Sequence, residues 1–211
     1  MRVPWPRFIL SVLLLAPGCL AQTPGGSLQA PAPASPSLSE KWNLFETETF
    51  APITLAAGAF NAGISQASNG VPNYGRGFSP GYVERFGAGL GDIASQNFFG
   101  DFVMASVLHE DTRYVRRGPA VKFLSRMGYA ISRSVVTHTD AGRTTFNWSN
   151  VIGTGMSAAL SNAYYPPQNR TAGVTLTDWA TDVAGSGFAN LFPEFWPDFR
   201  GWVRRRVHPG R

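Results

Sequence analysis

From Pro52 onward, apolar residues recur at intervals of three and four, and Gly, Pro and Asn interrupt the pattern at intervals. Ile53, Ala56, Ala57, Phe60, Ile64 and Ala67 have helical spacing behind Pro52, a residue suited to a first helical position, and the run stops at Asn69-Gly70. Residues 68–82 are mostly Gly, Pro, Asn, Ser and Tyr and read as a loop. Ser79 is placed to cap the next helix, with Pro80 at its first position. Phe86, Leu90, Ile93, Ala94, Phe98, Phe102 and Leu108 then form one stripe as far as Leu108, with Gly100-Asp101 as the expected kink. Residues 119–136 put Val121, Leu124, Gly128, Ile131 and Val135 on one face, with Lys122, Arg126 and Arg133 on or near the opposite side. A fourth helix, capped by Ser149 or Asn150, carries Ile152, Met156, Leu160 and Ala163 to a stop at Tyr164-Tyr165-Pro166-Pro167. A fifth starts at Thr177 and carries Trp179, Val183, Phe188, Leu191 and Phe192; Pro193 interrupts it, and Pro197-Asp198 opens a short final helix.

A second periodicity runs beside the first. Ala59 and Gly63, then Gly87, Gly91 and Ser95, then Gly153 and Ser157 stand four apart, and small residues at that spacing let a neighbouring helix approach closely. The expected fold is all-α: a compact bundle of five or six helices packed through Gly/Ala/Ser rows. Asp140-Ala141-Gly142-Arg143 is a strong turn signal, and its flanks allow one small β-hairpin near 135–146.

The first 21 residues differ in kind. Arg2 and Arg7, the apolar run Phe8 to Leu15 and the small-residue site Cys19-Leu20-Ala21 make residues 1–21 a secretory signal peptide. The alternative is a lipoprotein signal with Cys19 as the anchored residue, although Ala16 and Pro17 depart from the usual form. If Ala21 is the last residue removed, the mature chain has no cysteine and therefore no disulfide, thiolate nucleophile or Cys-ligated metal. Residues 22–39 hold Pro, Ala, Ser and Gly with no charge until Glu40, the composition of a disordered tether. Residues 40–197 are expected to form the helical domain, led by a short helix or lead-in bearing Trp42, Leu44 and Phe45, and residues 198–211 a basic aromatic C-terminal segment.

Charge changes the picture by where it lies. The net charge is +5, yet residues 22–197 carry 11 basic against 12 acidic side chains, so the excess belongs to the two ends. A nucleic-acid partner is therefore not expected. Charged residues are only 15% of the chain, against roughly 25% in an average soluble domain, which shifts the class toward envelope proteins.

The densest ionisable stretch is His109-Glu110-Asp111-Thr112-Arg113-Tyr114, followed by Arg116 and Arg117. On a helix His109 and Arg113 share a face, and Asp111 can orient either, which is the equipment for binding an anion or for acid/base work at a phosphate. The competing reading is a helix end, where His109 and the arginines favour the negative dipole terminus and Glu110 and Asp111 neutralise them. No catalytic residue is assigned. The three histidines, His109, His138 and His208, lack the spacing of a helical zinc pair, and neither metal nor cofactor is expected. Ser132-Arg133 with His138 and Asp140 looks like part of a membrane lipid phosphatase motif, but the spacing is short and the companion motifs are missing.

The order His109-Glu110-Asp111-Thr112-Arg113-Tyr114, Ser161-Asn162-Ala163-Tyr164-Tyr165-Pro166, Glu194-Phe195-Trp196-Pro197-Asp198 resembles a family of exported bacterial envelope proteins. The resemblance implies a coherent domain in the cell envelope and carries no activity, substrate or site residue. Phe199, Trp202, Arg204, Arg205 and Arg206 have the aromatic and basic character of a membrane-surface anchor. Residues 49–75 and 144–169 are uncharged, but their dense apolar pieces fall short of the ~20 residues that span a bilayer. The expected function is that of an exported protein, periplasmic or outer-membrane-associated, with a structural or interaction role at a membrane surface. Its expected partners are the membrane surface or another envelope protein, with self-association through the small-residue faces. The alternative is an enzyme or binding protein for an anionic or phosphorylated lipid at residues 109–117.

Overall fold

The computed structural model describes residues 35–207. The signal peptide with Cys19, most of the tether, and His208 lie outside the described residues. Helix α1 (Leu38–Phe50) begins two residues ahead of the expected domain start, because Ser37 and Glu40 cap it reciprocally: Glu40 N–H donates to Ser37 Oγ at 3.3 Å and Ser37 N–H to Glu40 Oε2 at 2.7 Å. Helix α2 (Pro52–Ser68) ends at Asn69, whose φ of 53° is the left-handed C-terminal stop. Helix α3 (Tyr82–Asn97) starts two residues later than the Ser79-Pro80 signal. Glu84, not Ser79, satisfies the open end by accepting from Gly81 N–H at 2.7 Å, and Ser79 Oγ donates to Glu84 instead.

The expected long stripe to Leu108 continues as a π-helical segment, Phe98–Met104, and a last turn, α4 (Ala105–Val107). Gly100-Asp101 therefore widens the helix where a kink was expected. Then come β1 (Glu110–Asp111), α5 (Phe123–Ser132), β2 (Val136–Thr139), β3 (Thr144–Phe146), α6 (Trp148–Ser161), α7 (Ala172–Ala189) and α8 (Leu191–Val207). The hairpin forms, and β1 joins it: Asp111 pairs with His138, and His138 with Thr144, all antiparallel. Helix α6 is capped by Asn147, whose side chain accepts from Asn150 N–H at 3.0 Å. Helix α7 begins near Thr171, six residues before Thr177, because Thr171 Oγ accepts from Val174 N–H at 3.2 Å. Pro193 falls within the first turn of α8, where no intrahelical donor is needed, so it starts a helix instead of interrupting one. Helix α8 then continues through Pro197.

The small-residue rows act inside the bundle. A Cβ at Gly153 of α6 would stand 2.4 Å from Gly100 Cα, so the two backbones touch. One turn along, Ser95 and Ser157 exchange a hydrogen bond of 2.6 Å, and Gly91 faces the Tyr164 ring. The fold is thus a helical bundle packed through Gly and Ser, with a three-stranded sheet at the chain's midpoint.

The stripe of α3 faces inward, with Phe86, Leu90 and Ile93 packed over Gly58, but those of α2, α5 and α6 face the other way. A soluble helix buries its apolar face. Here Ile53 and Phe60 of α2, Leu124 of α5, and Ile152, Met156 and Leu160 of α6 are all exposed. Arg126 and Arg133, expected on or near the outer side of the third amphipathic segment, are 5% and 7% exposed. Both have buried partners to reach, described below, whereas Leu124 has none. Among the described residues, 25 large apolar side chains are exposed, while the buried apolar residues are six alanines with Ile93 and Tyr165. No helix among them is long and apolar enough to cross a membrane.

Candidate functional site: a closed charge knot and an interior polar cavity

The stretch from His109 to Arg117 is not a helix. Leu108 ends the helical run, His109 turns the chain with φ 55°, and Glu110-Asp111 is paired as β1. His109 and Arg113 therefore do not share a helical face. The His109 side chain is 83% exposed, with Asp140 at 3.8 Å from Nδ1. Glu110 is buried and its Oε2 accepts from Ser149 N–H at 2.9 Å, so it serves the N-terminus of α6. Asp111 accepts from Arg113 through both carboxylate oxygens, Nε at 2.8 Å and Nη2 at 2.7 Å.

The rest of the knot converges on Glu194, which is fully buried in the first turn of α8. Its carboxylate accepts from Tyr114 Oη at 2.8 Å, Arg117 N–H at 3.0 Å, Gly118 N–H at 3.2 Å and Arg126 Nε at 2.6 Å. Arg126 also reaches Asp198 at 2.6 Å, and Arg116 joins it by donating to Glu194 O and to Asp198. Burial opposes ionisation of Glu194, but the bonds from Arg126, Tyr114 and the two backbone donors outweigh it and hold the carboxyl below its ordinary range. The Arg117 guanidinium lies 4.0 Å over the Tyr129 ring. Arg113, Arg116 and Arg126 are thus committed to carboxylates of this chain, and the knot docks α8 onto α5.

The other face of α8 looks outward. Phe192, Trp196, Phe199 and Trp202 form a continuous ring ladder, with centroids 5.1, 5.7 and 6.0 Å apart. Trp196, Phe199 and Trp202 are exposed, as are Arg204, Arg205 and Arg206, and Arg206 covers the Trp202 ring at 4.6 Å. The membrane-surface candidates therefore stand on one helix with its acids turned inward.

A partly open cavity of about 130 Å³ between the helices was not signalled by any local motif. Its lining comes from α1, α2, α3, the π-helical segment, α6, α7, the segment after β1 and the residue that ends α5, and includes Glu48, Asp101, Arg133, Asn150 and Asp182. Burial pushes Asp101 up to about 6 against a bond with Thr112, and burial followed by the Asp92 and Asp178 charges raises Asp182 well above its ordinary value. Nearby, Asp92 accepts from Tyr164 Oη at 2.6 Å and Tyr165 Oη at 2.8 Å, and burial raises it to about 6. The one available sequence signal was the position of Asp101, Asp178 and Asp182 inside helical runs, where a charge facing inward has to be accommodated.

Of the phosphatase-like residues, Arg133 Nη2 stands 3.2 Å from His138 Nδ1, while Asp140 pairs with Lys41 at 3.0 Å and Ser132 bonds its own helix. Among the described residues no group of three or more His, Cys, Asp or Glu is arranged to hold a metal ion. No protein family, curated protein or solved structure matches this chain.

Proposed function

We propose that this chain is an exported envelope protein held at a membrane surface, with a structural or interaction role there. One observation carries the reading, the orientation of α8: Glu194 and Asp198 face the bundle, while Trp196, Phe199 and Trp202 form the outer face. In water that arrangement leaves large apolar rings unpaid for by burial, whereas at a lipid interface aromatic rings and arginines are the preferred residues. The basic end supports the same surface, since each Arg near anionic headgroups contributes about 1 kcal/mol. Exposed apolar residues on α1, α2, α5, α6 and α7 extend the apolar exterior beyond one patch, which suits lipid better than a single protein partner. The signal-like residues 1–21 supply the route to the envelope.

Vesicle flotation of the full chain tests the proposal. The chain floats with vesicles containing phosphatidylglycerol, more weakly with phosphatidylcholine alone. The triple variant Trp196→Ser, Phe199→Ser, Trp202→Ser loses flotation while keeping its helical circular dichroism. Failure of the parent chain to float with either vesicle contradicts the proposal.

A further inference from the structure

Large apolar and basic side chains are also held outward at the end of α7 opposite to α8. Residues 69–81, which join α2 to α3, are hydrogen-bonded there to the segment that precedes α7. Phe78 on this loop is 76% exposed, the highest value among the large apolar side chains described. Its ring stacks on Tyr82 at 5.8 Å, and Tyr82 on Phe86 at 6.5 Å, a ladder like that of α8. Arg76 of the loop and Arg170 of the docked segment are exposed. Among the described residues neither arginine has a carboxylate within 4.0 Å. Glu84, the acid of this region, is occupied by Gly81 N–H and Ser79 Oγ.

The shape of the loop is fixed from within. Arg85, 3% exposed, donates to Gln66 Oε1 at 2.7 Å, Gly70 O at 2.8 Å and Gly75 O at 3.3 Å, and also to Pro72 O. Gln66 Nε2 donates to Gly77 O at 3.0 Å, and Val83 N–H to Phe78 O at 3.1 Å. From outside, Asn73 N–H donates to Asn169 Oδ1 and Gln168 Nε2 to Asn73 O, both at 2.9 Å, while Tyr74 Oη donates to Tyr164 O at 2.8 Å. Folding the Phe78 ring back would break this frame and strand the buried Arg85 charge. The exposed ring is therefore built into the folded surface, preorganised for whatever receives it.

Charge and continuity identify the receiver as lipid. Phe60 of α2 is exposed, as are Val71 and Val83 at the two ends of the loop, and α2 carries no charged residue. The buried positions of α2 are Thr54, Gly58, Ala62 and Ser65. Small and hydroxyl residues inside with large apolar ones outside are the distribution of a helix surrounded by acyl chains instead of water. Rings beside arginines match the boundary between those chains and anionic headgroups.

We propose that residues 69–81 are a second lipid-contacting element: Phe78 enters the acyl chains, and Arg76 and Arg170 meet the phosphates of anionic headgroups. This contact rests on the membrane-bound reading above and adds to α8 without replacing it, because one ring and two arginines make a marginal anchor.

The full chain carrying Cys19→Ser and Phe78→Cys has one thiol, which takes an environment-sensitive nitrobenzoxadiazole label at the position of the ring. On phosphatidylglycerol vesicles the label shifts its emission to the blue and is quenched by lipids bearing a nitroxide on the acyl chain. In the unlabelled full chain, Phe78→Ser weakens vesicle partitioning by about tenfold, the factor equivalent to 1.4 kcal/mol, and leaves the circular dichroism unchanged because the ring is exposed. Arg76→Gln with Arg170→Gln weakens binding to phosphatidylglycerol vesicles and leaves binding to phosphatidylcholine as in the parent. If the parent chain floats while the label neither shifts nor is quenched, or while Phe78→Ser binds as the parent does, the loop contact is overturned and the α8 reading stands. A parent chain that does not float overturns both. Parent-like binding of the double arginine variant to phosphatidylglycerol overturns the headgroup contact.

Discussion

Arg126 Nε donates to Glu194 Oε1 at 2.6 Å, and both side chains are removed from solvent. Each is the other's main counter-charge inside the bundle, with Asp198 as the second carboxylate for Arg126. Removing one member of a buried pair leaves an uncompensated charge, at a cost of about 3–5 kcal/mol. Arg126→Ala and Glu194→Ala are each expected to destabilise by that amount in urea unfolding. The double variant should cost much less than the sum, which a double-mutant cycle measures.

Helix α6 meets the π-helical segment backbone to backbone at Gly153 and Gly100. Gly153→Ala places a methyl group 2.4 Å from Gly100 Cα, so the helices must separate, and overpacking of this kind costs about 1–3 kcal/mol or more. Gly128 of α5 has open space around its Cβ position, and Gly128→Ala should gain roughly 0.5–1 kcal/mol from helix propensity. Thermal melts of the two variants should move in opposite directions.

Stability should pass through a maximum in mildly acidic solution. Burial raises Asp92, Asp101 and Asp178 to about 6, and the folded state therefore binds more protons than the unfolded chain between about pH 4 and pH 6. Their contribution is fully present below the unfolded value and is lost as pH rises through the folded one. Glu194 and Asp198 work in the opposite sense: hydrogen bonds from Arg126 and its neighbours outweigh burial and lower both carboxyls, so their stabilisation is lost as pH falls below the ordinary carboxylate range. Urea unfolding at pH 5 should give a larger free energy than at pH 7.5, and a smaller one again near pH 3. Asp92→Asn should flatten the change between pH 5 and pH 7.5.

The helical segments and their small-residue rows were legible because both follow local spacing: Gly153 and Ser157 recur at four residues whether or not Gly100 and Ser95 are known to oppose them. The hairpin was legible from Asp140 to Arg143. The orientation of the helices was not. Leu124 and Arg126 give one amphipathic pattern, and which face turns inward depends on Glu194, 68 residues away, being there to receive the arginine. The conformation of His109 to Arg117 was hidden for the same reason, since β1 exists only through pairing with β2. Helix boundaries slipped where the true cap lay upstream, at Thr171 and Asn147, because Thr177 and Ser149 offered equally good side chains to a local reading. The cavity is assembled by residues from eight parts of the chain, and no motif precedes it.

The lipid-facing position of α8 is tested most directly by fluorescence quenching with vesicles whose acyl chains carry bromine. Trp196 and Trp202 are 43% and 47% exposed on the aromatic ladder, whereas Trp179 is half-buried with Nε1 bonded to Val151 O at 2.8 Å. Brominated vesicles should quench a substantial part of the parent fluorescence; that part should shrink on changing Trp196 and Trp202 to Phe, the remainder coming from the exposed Trp42 and Trp148, and should be retained in Trp179→Phe. Equal emission of the parent chain with brominated and ordinary vesicles would contradict the account.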